Sequence, residues 1–378
     1  MTIPLFLTVL GTGWILYAVF GRRWWIDPLL HRPSAEPMGR VVAVVPARDE
    51  AQELPVTLPA LLRQTYPDFA VVLVDDHSQD NTAAVALRLA KEYHAEDRFR
   101  LVQPDPLPEG WMGKVWAQNR GVEEARKLGA VWIWFTDADI RHEPDVLERL
   151  LATAQRENRD FVSVMARLQC RSFWEKLLIP AFTYFFAMLF PFPSVARDGS
   201  RVAAAAGGCM LVRASLLERI GGLAAIRDAV IDDVALGQAC KRAGGRLWLG
   251  YHPGVQSTRG YENLGTIWNM VARSAYSQLG YQPLALVATV VGLALVFLAP
   301  PLVALCGHGG MRWWGLAAYL AMTRTYLPTV RYLRCPRRWA LTLPVAAALY
   351  TAMTVWSAVR YYSGTRTAWK GRTYPTSG

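Results

Sequence analysis

The chain has 378 residues, 52% of them hydrophobic and 19% charged, slightly more apolar and less charged than soluble domains at about 45–50% and about 25%. Its 15 Trp, 15 Tyr and 13 Phe, set among long apolar runs, exclude a disordered chain. Five scattered cysteines with no CxxC pair exclude a disulfide scaffold and a zinc-ligand array. The net charge is +11, but the first 262 residues hold 30 of the 41 Lys and Arg against all 30 acids. The basic excess therefore lies in the apolar C-terminal third. That placement suits a membrane surface with anionic lipids and argues against a nucleic-acid partner.

The uncharged run Ile3–Phe20 predicts a first transmembrane helix within residues 1–25, roughly 27 Å long if helical. It lacks the basic start and small-residue cleavage site of a signal peptide, which is the alternative reading. Arg22 and Arg23 predict that the chain after them is cytoplasmic. Residues 40–261 then read as α/β. Strands are predicted at Val41–Val45, Ala70–Val74, Leu101–Val102 and Val131–Thr136, and helices at Leu54–Gln64, Thr82–Tyr93 and Val115–Lys127. This alternation predicts a parallel sheet with helices on both faces. Phe173–Phe192 is aromatic and apolar but broken by Glu175, Lys176 and Pro180, which tells against a span and favours a helix lying in the membrane interface, with a buried helix of the soluble domain as the alternative. Residues 262–283 form an interfacial region. Spans are expected within 284–360, at Leu284–Cys306, Trp313–Leu333 and Ala340–Val359, followed by a basic tail, 361–378. The count conflicts with itself. Three late spans put the tail outside, whereas Arg360, Arg366, Lys370 and Arg372 place it inside.

The first strand is followed by Pro46-Ala47-Arg48-Asp49-Glu50, without the glycines of a dinucleotide fingerprint, and no Walker A loop is present. Two strand ends carry acidic pairs instead, Asp75-Asp76 and Asp137-Ala138-Asp139. Ligands sit at the carboxyl ends of such strands. Paired carboxylates repel phosphate unless a divalent cation bridges them, so this arrangement predicts a cation-dependent nucleotide-diphosphate site. Each feature also has a structural alternative. Aspartates end strands in turns, Asp232-Asp233 suits a helix N-terminus, Gly207-Gly208 suits a packing turn, Lys114 suits a solvated loop, and His142 suits a structural position.

The motifs arrive in a fixed order: Val45 to Glu50, Val74 to Thr82, Thr136-Asp137-Ala138-Asp139, Gly207 to Arg213, then Ile231-Asp232-Asp233. Over residues 40–260 this order resembles the inverting glycosyltransferase family 2. Gly110-Trp111-Met112-Gly113-Lys114, Ser172-Phe173-Trp174-Glu175-Lys176 and the run Met270–Leu279 extend the likeness to the bacterial hopene-associated glycosyltransferases of the HpnB type. The resemblance implies a GT-A fold, a Rossmann-like nucleotide-diphospho-sugar domain, here flanked by N- and C-terminal transmembrane helices. It implies a nucleotide-sugar donor, UDP-linked, with Mg2+ or Mn2+, and a membrane lipid acceptor such as a hopanoid or another polyprenoid. The expected location is the bacterial cytoplasmic membrane with the catalytic domain facing the cytoplasm.

By resemblance Asp76 contacts the base or ribose, and Pro46 and Glu50 line the same pocket. Arg48 pairs with Glu50 or the base. Asp139, beside Asp137, holds the cation against the diphosphate. Lys114 reaches the diphosphate or ribose. Asp233 is the catalytic base and Asp232 supports it or positions the acceptor. The processive QxxRW motif is absent, and Arg273 in the corresponding region is expected to neutralise the departing diphosphate. A processive polysaccharide synthase and a non-catalytic membrane scaffold are the competing readings.

Overall fold

A computed structural model describes residues 3–21, 24–33, 38–364, 367–369 and 372–374. Arg22, Arg23, Arg366 and Lys370, on which part of the orientation argument rests, lie outside the described residues.

After helix α1 (Ile3–Phe20), an eight-stranded sheet forms the centre of the α/β domain. Its strands are β1 (Val41–Ala47), β2 (Phe69–Asp75), β3 (Phe99–Val102), β4 (Trp132–Phe135), β5 (Ile140–His142), β6 (Phe161–Arg167), β7 (Met210–Arg213) and β8 (Leu247–Ser257), in the spatial order β3-β2-β1-β4-β7-β6-β8-β5. The first four run parallel, as the alternation predicts. The other half is mixed: β6 is parallel to β8, but β7 is antiparallel to both β4 and β6, and β5 is antiparallel to β8. A short strand buried on both faces is a continuous apolar run with no period to betray its direction.

Helices α2 (Leu54–Leu62), α3 (Thr82–Glu92) and α5 (Val146–Arg156) share one apolar core with the sheet. Helices α4 (Gly113–Lys127), α7 (Phe192–Ala196), α8 (Ala214–Arg219) and α9 (Asp232–Arg242) pack in a second core. Strand β1 runs two residues beyond its expected end, through Pro46. Its pairing with β4 stops at Val44↔Phe135, while that with β2 continues to Ala47↔Asp75. The proline therefore lies past the last β4 partner, where its missing N–H costs little. The gap left beside it is the mouth of the cleft described below.

A third core holds the apolar helices together. It contains α1, α6 (Phe173–Leu189), α10 (Leu264–Ala272), α14 (Gly310–Tyr332) and α15 (Leu343–Tyr362), with Phe297 from the π-helical stretch that joins α12 (Pro283–Leu293) to α13 (Ala299–Cys306). A one-turn helix, α11 (Ala275–Gln278), joins α10 to α12. Among the described residues, three segments are long and apolar enough to cross a membrane: Phe173–Ala196, Pro283–Cys306 and Arg337–Tyr362. They differ in burial. Only 11% of the apolar window in Pro283–Cys306 is buried, against 50% in the other two.

Contacts along α15 explain that difference. Trp339, just before it, meets Phe173 at the start of α6, with ring centroids 5.3 Å apart. The Tyr350 hydroxyl donates to the Leu178 carbonyl at 3.0 Å, and Ser357 Oγ donates to the Ala272 carbonyl at 2.6 Å. Tyr362 reaches the Tyr276 hydroxyl at 2.9 Å. Both ends of α15 thus touch segments adjoining the α/β domain. Helices α1 and α14 instead run side by side. Trp314 Nε1 donates to the Thr8 carbonyl near their starts, and the Arg324 guanidinium sits 5.9 Å from the Trp24 ring near their ends.

Glu175, which seemed from sequence to interrupt α6, starts it. Ser172 accepts from the Glu175 N–H, and the Glu175 carboxylate accepts from the Ser172 N–H at 2.8 Å, a reciprocal cap on the first turn.

Candidate active site

Beyond the carboxyl ends of β1 and β4 lies a cleft of about 440 Å³. Its walls include Pro46, Glu50, Lys114, Asp137, Asp139, Asp232 and Arg273, all singled out in the sequence. Arg48, Asp76 and Asp233 are not among those walls. Arg48, expected to pair with Glu50 or the base, reaches the loop after β2. Its Nη1 donates to the Asp76 carbonyl at 2.5 Å and lies 4.0 Å from the Asp76 carboxylate, with both side chains buried. Glu50 meets the Arg259 guanidinium.

The run Asp75 to Thr82 works mainly as a clasp. Ser78 Oγ accepts from the Asp49 N–H at 2.9 Å, Thr82 Oγ1 from the Glu50 N–H at 2.8 Å, and Asp80 from the Ala51 N–H at 3.0 Å. Asp49 returns the favour by accepting from the Gln79 N–H at 2.7 Å. Asp49 and His77 adopt left-handed backbone (φ 52° and 53°), and for a non-glycine residue such a turn needs this support. The loops after β1 and β2 are thereby locked together, fixing Pro46 and Glu50 in the cleft wall.

Asp137 and Asp139 leave β4 with a residue between them and reach different cations. Lys114, at the start of α4, places its Nζ 2.9 Å from Asp137 Oδ1 and 3.2 Å from Asp232 Oδ2. Arg259 Nε donates to Asp139 Oδ2 at 2.8 Å, and its Nη2 donates to Glu50 Oε1, also at 2.8 Å. Burial pulls the Lys114 ammonium down, but Asp137, Asp232 and Asp233 together hold it above the usual lysine range. Burial, reinforced by Asp139 and Asp232 against the pull of Lys114, pushes the Asp137 carboxyl up to about 6.

Helix α9 begins with the aspartates themselves rather than after them. Asp233 Oδ1 accepts from the Val234 N–H at 2.8 Å, and Oδ2 from the Gly207 N–H at 2.7 Å. These bonds aim the carboxylate at the Gly207-Gly208 turn. A Cβ on Gly207 would stand 3.2 Å from Asp233 Oδ2 and 3.4 Å from Lys114 Nζ, so the glycine keeps that corner open. Burial, with repulsion from Asp232, pushes the Asp233 carboxyl up to about 6. His142 is remote from this chemistry. Its Nε2 is bonded to Thr136 at 2.7 Å, its ring packs 4.5 Å from the Trp134 ring, and burial lowers it to about 3.

Among the described residues, no set of three or more His, Cys, Asp or Glu side chains is gathered to hold a metal alone. The donors present are carboxylate oxygens on one wall, from Asp137 and Asp139. That set fits a hard cation such as Mg2+ or Mn2+, which takes one or two carboxylates and completes its shell with substrate phosphates and water.

The sequence reading missed Arg259, Thr258 and Glu175. Thr258 donates from N to the Asp139 carbonyl at 2.8 Å and bonds through Oγ1 to Glu53. The Tyr261 N–H donates to Glu175 Oε1 at 2.7 Å, tying the same strap to α6. The available signal was Arg259 itself, an arginine directly beyond the long strand β8.

Comparison with known proteins agrees with this geometry. The family described as "Glycosyl transferase family group 2" matches residues 132–361, more than half of the chain, and "Glycosyl transferase family 2" matches residues 42–221. The chain is 32% identical over 113 residues to an undecaprenyl-phosphate mannosyltransferase of Micrococcus luteus, covering 30% of this chain and 43% of the relative. It is 30% identical over 124 residues to the glycosyltransferase AglE of Haloferax volcanii, covering 32% and 38%. The chain thus matches less than half the length of these curated relatives. Among solved structures, the mannosyltransferase PcManGT of Pyrobaculum calidifontis, described in complex with GDP-Man and Mn2+, shares the fold at a TM-score of 0.53. The match has 20% identity and covers 95% of this chain and 97% of that one. A GT-A sheet, acidic strand ends around one cleft and a family match spanning sheet and bundle lead to one assignment: the chain belongs to the family 2 glycosyltransferases.

Proposed function

We propose that this glycosyltransferase moves a single sugar, with inversion, from a nucleotide-sugar donor to a hydroxyl of a polyprenoid membrane lipid, with a hopanoid as the favoured acceptor and a UDP-linked sugar as the favoured donor. One observation carries the lipid part. Helix α10 lends Thr266, Asn269, Met270 and Arg273 to the cleft while burying Ile267 and Val271 in the apolar bundle core. A single helix is thus both acceptor-side wall and membrane packing surface.

Charge favours a hydroxyl over a phosphate acceptor. The cleft walls carry Glu50, Asp137, Asp139 and Asp232 against Lys114, Arg259 and Arg273. A divalent cation and a donor diphosphate roughly cancel one another, which leaves no surplus positive charge for a second phosphate. A hydroxyl needs a base, and Asp233, next to the wall residue Asp232, has its carboxylate oriented by the Gly207 and Val234 N–H groups.

In the reaction Asp233 takes the hydroxyl proton as the acceptor oxygen forms its bond to the anomeric carbon and the bond to the diphosphate breaks. Lys114, Arg259 and Arg273 face the departing charge. When bound, the divalent cation supplies Lewis-acid stabilisation of that diphosphate.

The proposed membrane arrangement has α1, the Pro283–Cys306 segment and α14 crossing, with α6 and α15 lying along the cytoplasmic interface. It is supported by the contacts of both α15 ends with segments adjoining the domain. Three crossings return the basic tail to the cytoplasmic side, which removes the conflict in the sequence count.

The test uses full-length protein in native lipid extract with Mg2+ or Mn2+ and a panel of radiolabelled UDP- and GDP-sugars. Label in the organic phase, stable to mild acid and lost in Asp233→Asn, supports the reading. Acid-labile label points to a lipid phosphate acceptor, and long water-soluble product points to a polymerase.

A further inference from the structure

Both carboxylates on offer to a divalent cation are already neutralised from within. Lys114 Nζ lies 2.9 Å from Asp137 Oδ1 and reaches across the cleft to Asp232 at 3.2 Å. Arg259 Nε binds Asp139 Oδ2 at 2.8 Å while the same guanidinium spans to Glu50. Both cations are cleft-lining, long and part-exposed, with side chains 20% and 33% accessible. Each has alternative rotamers into the open volume between them. A divalent ion that binds Asp137 or Asp139 must come within a few ångströms of an ammonium or guanidinium holding the same carboxylate. The repulsion is removed only if that group moves, and a donor diphosphate supplies the anionic oxygens to which it moves. Lysine binds such oxygens as a point charge and arginine as a fork.

We infer that Lys114 and Arg259 are exchangeable counter-ions. Without donor they hold Asp137 and Asp139, and on donor binding they pass to the diphosphate, so that the cation is admitted only together with the nucleotide. This assigns Arg259 to donor binding, and it rests on the cation part of the proposed function. It also explains why one arginine bridges Glu50, in the wall beside Pro46, and Asp139, on the cation side. Its release couples occupancy of the two halves. No bond is made or broken in the exchange, and the pairs before and after carry the same charges.

The test is a Mn2+ titration of the full-length protein, followed by the paramagnetic resonance signal of free Mn2+, with no nucleotide, with UDP and with GDP. The expected result for the parent is weak uptake of Mn2+ alone and at least tenfold tighter uptake with one of the nucleotides. Lys114→Met leaves Asp137 and Asp232 uncompensated, so it is expected to bind Mn2+ alone at least tenfold more tightly than the parent and to gain less from nucleotide. Arg259→Lys keeps a charge but not the fork, and is expected to show a smaller shift in the same direction. A parent that takes up Mn2+ equally with and without nucleotide overturns the inference and leaves the cation reading standing. So does a Lys114→Met protein whose affinity for Mn2+ alone is unchanged, provided its thermal melting matches the parent. Absence of Mn2+ uptake in every arm, including nucleotide with either variant, overturns the cation reading and this inference with it.

Discussion

Asp233 sits where burial and a second aspartate oppose its ionisation while two backbone N–H groups favour it, and the balance leaves its carboxyl near 6. A base must be unprotonated to accept the acceptor proton. Transfer is therefore expected to hold above pH 6 and to fall about tenfold per pH unit below it. A bound cation keeps Asp137 ionised, so this acid limb belongs to Asp233. The pH profile of kcat with donor and cation saturating checks it, and the limb should vanish in the residual activity of Asp233→Asn. That variant is expected to lose about 10²–10⁴-fold in kcat while still binding nucleotide, since the group acts on the acceptor proton. Equal loss of donor binding would show that Asp233 serves the pocket instead. Asp137 and Asp139 were legible in the sequence because they follow the end of β4 within four residues, and Asp232 and Asp233 because they open a helix. Arg259 was not, because its partners Asp139 and Glu50 are 120 and 209 positions away. Arg48 shows the same limit: its contact with the Asp76 carbonyl joins loops 28 positions apart.

Two helices are placed by contacts smaller than any pattern reveals. In α4, a Cβ on Gly121 would come within 2.3 Å of Val44 Cγ1 and 3.1 Å of Val74 Cγ2, so the helix lies directly on β1 and β2. Alanine gains about 1 kcal/mol in helix propensity, but overpacking costs about 1–3 kcal/mol. Gly121→Ala is expected to lower the Tm, measured by differential scanning calorimetry, and to weaken donor binding because Lys114 rides on the same helix. An unchanged Tm would mean that α4 shifts freely. Ser172→Ala removes one half of the cap on α6 and is expected to cost about 1 kcal/mol, with the Tyr261 tie through Glu175 left in place. The helical periodicity of α2, α3 and α4 was readable to within a few residues of their ends. The reversed direction of β7 was not, since a buried strand reads the same both ways.

On the scale of the whole molecule, the catalytic sheet and the apolar bundle share α6 and α10, so neither part is finished alone. A chain ended after Tyr261 uncovers Leu177, Leu178 and Ile179, which are buried against the bundle. It is expected to sediment with membranes or aggregate unless detergent is present, as judged by ultracentrifugation. A soluble, monomeric fragment with the parent's Tm would sink the shared-helix view. Orientation has its own test. Cys306 is the one exposed cysteine among those described and ends the Pro283–Cys306 segment at the side away from Pro283. With the proposed topology an impermeant maleimide should label it in right-side-out vesicles and not in inverted ones.

The sequence by itself determined the class of fold, the acidic ends of β2 and β4, the Asp232-Asp233 pair and the apolar, basic character of the C-terminal third. Each of these is written in neighbouring residues, as strand runs, turn acids or apolar stretches with basic flanks. Only the tertiary structure decided which cation holds which carboxylate, that Ser78, Asp80 and Thr82 clamp a loop, and that both ends of α15 return to segments adjoining the domain. Those outcomes are pairings between residues far apart in the chain. Local propensity and periodicity carry no information about them, because the pairing energy exists only once the sheet and bundle have brought the groups together.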